Sequence, residues 1–419
     1  MAESIIYHID VNSAFLSWEA SHRVNELGDP VDLRTIPSVV GGSEELRHGI
    51  VLAKSGPAKR YGIRTGEPLA KARQKCPGLV VVPPNFELYV RNSNSFISLL
   101  KEFAPCVEQY SIDEAFCDMT GTELLYGDPI EFAHKLKDMI SSRLGFTVNI
   151  GISSNRLLAK TASDFEKPDK VHTLFPAEMP EKFWPLPVSE LLFAGRSSTK
   201  AFQTLGIKTI GDLAAADRKL LVTHLGKHGG HLWDSANGLD SGIVSSHEAT
   251  NKGYGNSQTI PFDVTDRATA LRFLLSLSET VGARIRADRA HISTVSVSIT
   301  DYEFHHSSRQ MTLSSTTNAT ETIYQSVCTL FDQLWDGTPI RLLGVHTGHA
   351  TDTAYEQYDL FHPQRSEKLS KLNAAVDSIR SRYGENALKR ACFVGSDENH
   401  KNGTLSKAKR HSADKEVNP

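Results

Sequence analysis

Short apolar runs alternating with amphipathic stretches set the pattern along this chain. Residues 5–11 form a short apolar run that reads as a buried strand, and residues 14–27 have helical periodicity that stops at Gly28-Asp29-Pro30. A second strand is expected over 49–53, then a short basic helix, then a helix over 68–75 closed by Cys76-Pro77-Gly78. The pattern predicts a long helix over 86–103 and two short strands, 107–110 and 115–119, joined as a hairpin. A helix over 129–144, a strand over 147–152 and a helix over 155–165 follow. This order of strands and helices suits an α+β domain with a mostly antiparallel sheet.

Residues 185–240 differ: they read as small helices joined by glycine turns, as in LGIKTIGDLA and LGKHGGHLWDSANGLD. Residues 241–256 are polar and glycine-rich, which predicts a linker. A helix over 266–289, a strand over 291–302, a shorter strand over 310–313, a helix over 321–335 and a strand over 341–347 make a second α+β unit. Residues 366–383 read as helix, and the polar stretch after about 396 as disorder.

Composition adds modest limits. With 419 residues the chain is long enough for roughly two to four domains. No apolar run approaches the roughly 18 residues a membrane span needs, and the N-terminus lacks a secretory pattern. The five cysteines have neither C-x-x-C nor zinc spacing, so reduced thiols and a cytoplasmic location are expected. A net charge of -3 argues weakly against a nucleic-acid partner, but Lys54, Lys59, Arg60, Arg64, Lys71, Arg73 and Lys75 cluster locally.

The candidate chemistry lies in carboxylates. Asp10 ends the first strand, and Asp113 and Glu114 sit between the two hairpin strands. Neighbours on an ideal strand face opposite ways, so both can serve one site only if a turn or bulge re-aims one of them. Three such carboxylates make an oxygen cage suited to Mg²⁺ and to two-metal phosphoryl transfer.

HIDVNSAFLSWE resembles the opening motif of Y-family DNA polymerases, and YSIDEAFCDMT their second catalytic motif. TVNIGISSNRLLAKTASDFEKP resembles the strand-helix motif that follows, and GIVLAKSGPAKRYGIRTGEPLAKARQKCP their fingers segment. Within that family the chain resembles the bacterial polymerase IV type. The resemblance implies a right-hand α+β multidomain fold. Its parts are a palm (1–12 and 80–168), small fingers (13–79), a helical, helix-hairpin-helix-like thumb (169–240), a linker (241–252) and an α+β little finger (253–350). A C-terminal extension (351–395) and a tail (396–419) complete it.

The same resemblance implies a low-fidelity, template-directed DNA polymerase that bypasses lesions without proofreading. Asp10 and Asp113 bridge two Mg²⁺ ions, with Mn²⁺ able to substitute, Glu114 binds the primer-side ion, and Val11 lends its backbone carbonyl. Phe15 falls at the sugar gate, and Lys59 and Lys160 at triphosphate contacts. Gly56 and Lys59 stand where many relatives have tyrosine and arginine, so a raised KM for nucleotide is expected. Residues 241–350 hold eight Lys and Arg against ten Asp and Glu, so the DNA grip there falls to Arg284, Arg286, Arg289, Arg309 and Arg341. Gln357, Asp359, Leu360 and Phe361 resemble the peptide that docks on the ring-shaped sliding clamp. The implied partners are primer-template DNA, deoxynucleoside triphosphates and the clamp, with a monomeric chain and no membrane. Two other readings are a catalytically weak DNA- or clamp-binding scaffold and a metal-dependent nucleotide cyclase.

Overall fold

The computed structural model describes residues 4–47, 49–246, 250–353 and 363–394, the side chains of 363–367 excepted. The chain divides into two compact units. One comprises residues 1–41 and 51–248, the other 42–50 and 249–419, as far as they are described. Among the described residues no helix is long and apolar enough to cross a membrane, and all five cysteines are free thiols.

The first unit is built on a five-stranded sheet whose central strand is Ile6–Val11. Glu114–Asp118 and Val148–Ser153 flank it, both antiparallel to it. Cys106–Gln109 pairs beyond the first and Val171–Thr173, parallel, beyond the second. That last strand had been expected in the thumb; its pairing puts it in this sheet. Along the central strand Tyr7, Ile9 and Val11 turn into the apolar core, while His8 and Asp10 alternate with them on the other face. Ala14–Asn25, Phe86–Lys101 and Pro129–Leu144 contribute buried side chains such as Trp18, Tyr89, Phe96 and Ile140 to one core with the sheet.

The helix Arg156–Ser163 packs closely on the sheet, and one residue permits it. A Cβ built on Gly151 would lie 2.0 Å from the Ala159 carbonyl oxygen and 2.4 Å from the Ser163 nitrogen. Gly151→Ala is therefore expected to force the helix away and lower stability by about 1–3 kcal/mol, read as a lower urea midpoint. An unchanged midpoint would show that the helix has room to move.

A small three-stranded sheet carries the basic segment. Ser38–Gly41 pairs antiparallel with Val51–Lys54 and parallel with Val80–Val82. Two of these strands escaped the sequence reading, since three or four residues carry no resolvable period. Short helices Arg196–Thr204, Ile210–Ala215 and Arg218–Ala236 follow the large sheet, joined by turns as the glycines predicted. Gly226, at φ +63°, breaks the last of them.

The second unit has a four-stranded antiparallel sheet backed by two helices, Arg267–Ala287 and Thr320–Leu334. Both edge strands differ from expectation. Gly255–Val264, taken in part as linker, is a strand, and His306–Thr317 is longer than the four residues expected. Both are solvated, so neither carries an apolar alternation, and Pro261 is tolerated because its strand has one open edge. Arg286, expected to meet DNA, instead holds Asp377 at 2.6 Å with its side chain 12% exposed. The clamp-like residues Gln357, Asp359, Leu360 and Phe361 and the expected disordered tail lie outside the described residues.

Candidate active site

Strand register gathers the acidic residues. Asp10 is the cross-strand partner of Glu114 on one side and of Asn149 on the other. Directly paired residues share a sheet face, so the three side chains emerge together, with Asn12 two positions on. Glu114 therefore belongs to the strand itself rather than to the hairpin tip.

Asp113 lies just before that strand. Its carbonyl accepts a 3.0 Å hydrogen bond from the Val11 N–H, which fixes it beside the end of the central strand. The Ser111 hydroxyl donates to Asp113 Oδ1 at 2.7 Å. This local turn frees Asp113 from strand alternation. Burial raises the pKa of its carboxyl; the Ser111 bond opposes the rise, Glu114 adds to it, and Lys160 pulls the other way.

Burial also pushes the Asp10 carboxyl up to about 7; Lys167 counters this, and a hydrogen bond with Glu114 reinforces it. Two ammonium groups offset the acidic charge. Lys160 Nζ lies 2.8 Å from Glu114 Oε1 and 5.0 Å from the Tyr110 ring centroid. Lys167 Nζ lies 3.1 Å from Asp10 Oδ2 and 2.8 Å from Asp164 Oδ1. Burial alone would lower the Lys167 pKa, but Asp10 and Asp164 outweigh it and hold it raised. On this same face, two residues before Asp10, His8 is held well below its usual range, first by burial and then by Lys160, Lys167 and Arg156.

The donor set fits a hard divalent cation: carboxylate oxygens held against desolvation, with ammonium groups in their company. Among the described residues, though, no three acidic, histidine or cysteine side chains form a ready cage. Asp10 and Glu114 are each engaged by a lysine instead.

The other expected residues divide. Phe15 is partly exposed and stacks on Tyr89, with ring centroids 4.5 Å apart and planes 9° from parallel. Phe86 and Trp18 brace it at 6.1 and 6.0 Å. Lys160 is 8% exposed and committed to Glu114, not open to solvent. Lys59 is exposed on the short helix Gly56–Arg60, where its charge helps lower the Lys54 pKa after burial; no ion pair among the described residues joins it to the acidic cluster. Lys167 was missed. Its signal was a lysine in the Glu-Lys-Pro turn directly after the Arg156–Ser163 helix.

Comparison with known proteins agrees with this fold. The impB/mucB/samB family model matches residues 9–164, and the model of that family's C-terminal domain matches residues 251–360. The chain belongs to the impB/mucB/samB family, the Y family of DNA polymerases. Within it, the chain is of the polymerase IV type. It is 42% identical to DNA polymerase IV of Clostridium acetobutylicum, over 94% of this chain and 99% of that protein. DNA polymerase IV of Acetivibrio thermocellus is 37% identical, over 93% of this chain and 97% of that protein. A solved Y-family DNA polymerase chimera, Dbh-Dpo4(243-245)-Dbh, shares the fold with a TM-score of 0.71 at 23% identity, covering 83% of this chain and all of that one.

Proposed function

We infer that the chain is a DNA-directed DNA polymerase of the translesion kind, acting at the face that carries Asp10, Asp113 and Glu114. The observation that carries the reading is the register pairing of Asp10 with Glu114, with Asp113 tied to Val11 beside them. The scaffold and cyclase readings are not favoured, because relatives at full length are DNA polymerases IV.

In this reading Asp10, Asp113, Glu114 and the Val11 carbonyl would hold two Mg²⁺ ions, for which Mn²⁺ substitutes. When bound, the ions would activate a primer 3′-hydroxyl and neutralise the triphosphate. Lys160 and Lys167 would give up Glu114 and Asp10 as the cations arrive. Lys167, the more exposed of the two, would then meet the triphosphate, and Lys160 would follow once released from Glu114. Lys59 is the corresponding candidate on the fingers.

Phe15, braced by Tyr89, would lie flat beneath the sugar and leave no room for a 2′-hydroxyl. Phe15→Ala is expected to raise ribonucleotide use by on the order of a hundredfold, measured as the ratio of kcat/KM for ribo- and deoxynucleotides. An unchanged ratio would remove Phe15 from the site.

We extend the proposal, on sequence alone, to clamp docking by Gln357, Asp359, Leu360 and Phe361, and to a monomeric, cytoplasmic protein. Primer extension on four templates differing in the next base tests the main reading. Addition of the complementary nucleotide each time, abolished by EDTA, is expected. Untemplated addition, or none, would refute it.

A further inference from the structure

Two buried amides lie on the same face as Asp10 and take no part in the chemistry proposed above. Asn149 is fully buried and Asn12 is 8% exposed. Asn12 Nδ2 donates to Asn149 Oδ1 at 3.1 Å. Their remaining polar atoms reach one loop and the adjoining strand end. Asn149 Nδ2 donates to the Ser163 carbonyl at 3.1 Å and to the Glu166 carbonyl at 2.7 Å. Asn149 Oδ1 accepts from the Lys170 N–H at 3.3 Å. Asn12 Oδ1 accepts from the Asp169 N–H at 2.9 Å and from the Thr147 hydroxyl at 3.0 Å. All the hydrogen-bonding capacity of Asn149 is used, and most of that of Asn12.

Residues 163–170, held in this way, carry Lys167. Four of the loop's backbone groups are satisfied by side chains from the sheet instead of by the loop itself. Every one of those side-chain bonds comes from a residue on, or next to, the strand positions that present Asp10. We propose that Asn12 and Asn149 are positioning residues that set Lys167 against Asp10, and so fix where the triphosphate is received. Neither amide touches substrate; each acts through the loop. A buried amide network of this kind holds a geometry because breaking any member leaves another buried polar group without a partner. The proposal rests on the triphosphate role given to Lys167 above.

Three variants test it: Asn149→Ala, Asn12→Asp and Lys167→Ala. Asn149→Ala takes the amide donor from the Ser163 carbonyl and leaves the Glu166 carbonyl only the His172 ring, 3.2 Å away. Asn12→Asp keeps both acceptor bonds but sets a charged carboxylate oxygen against Asn149 Oδ1 in place of the donor, so it breaks the amide pair and carries the test if Asn149→Ala does not fold. Expected is a rise in KM for nucleotide, about tenfold for Asn149→Ala and smaller for Asn12→Asp, with kcat changed far less. The Asp169 and Lys170 amides should exchange hydrogen faster in both. Combined with Lys167→Ala, neither variant should raise KM beyond Lys167→Ala alone. Unchanged KM in both amide variants, additive effects with Lys167→Ala, or unaltered exchange at Asp169 and Lys170 would overturn the proposal. If Lys167→Ala alone leaves KM unchanged, the triphosphate reading fails; the exchange data then still decide whether the amides hold the loop.

Discussion

Asp10→Ala is expected to lose at least about a thousandfold in primer extension, on the order of 4 kcal/mol of transition-state stabilisation, while still binding primer-template DNA. The size of the effect follows from position. Asp10 is the residue that both neighbouring strands present to the site: it pairs with Glu114 and with Asn149, and it receives Lys167. Removing it takes away a proposed ligand and the partner of the nearest ammonium group together. Stability should move the other way. Burial pushes the Asp10 carboxyl up to about 7 in the fold, well above the ordinary carboxylate range. A carboxyl raised in this way is harder to ionise folded than unfolded, so its cost to the fold grows as pH rises from about 4 to about 7 and stays at its maximum above. At pH 8, then, Asp10→Ala should have a Tm no lower than the wild type. Lost activity with intact folding separates chemistry from architecture; retained activity would move the reaction elsewhere.

The second large effect is expected in the other unit. Glu279→Ala should destabilise it by about 3–5 kcal/mol, the usual cost of leaving a buried charge without its partner. The Glu279 side chain is 5% exposed and faces Arg380, 4% exposed, at 2.9 Å. Arg390 joins Glu279 and reaches Glu321 at 2.6 Å, and Asn373 donates to Glu321 at 2.9 Å. These charges fasten the C-terminal helix Pro363–Tyr383, and the turn that carries Arg390, onto the helices Arg267–Ala287 and Thr320–Leu334. Unfolding by urea and hydrogen exchange along the C-terminal helix would report the loss. Replacing Glu279 and Arg380 together with methionine should recover much of it, because a well-packed apolar pair avoids the desolvation cost. Wild-type stability in the single variant would mean that water reaches the pair.

Much of this was legible in the chain. The apolar run at 5–11 announced a strand, and the helices expected over 129–144 and 155–165 stand where the side chains of Asp128 and Asn155 cap them. The grouping of Asp10, Asp113 and Glu114 followed from motif resemblance, but its physical basis did not. Neither the cross-strand register nor the Ser111 turn can be read from local periodicity, since both depend on which strands pair. Lys167 and the two asparagines were hidden for the same reason. Polar residues near strand ends read as ordinary solvated positions until a buried loop is seen to need their donors and acceptors. The edge strand Gly255–Val264 was lost because half-solvated strands with glycine and proline look like linkers.

The central claim is that divalent cations bind among Asp10, Asp113 and Glu114 at a primer terminus. A crystal of the protein with primer-template DNA, an incoming nucleotide and Mn²⁺, measured for anomalous scattering, tests it most directly. The account predicts manganese peaks coordinated by these three side chains. Peaks elsewhere, or carboxylates still bound to Lys160 and Lys167 with no metal between them, would contradict it.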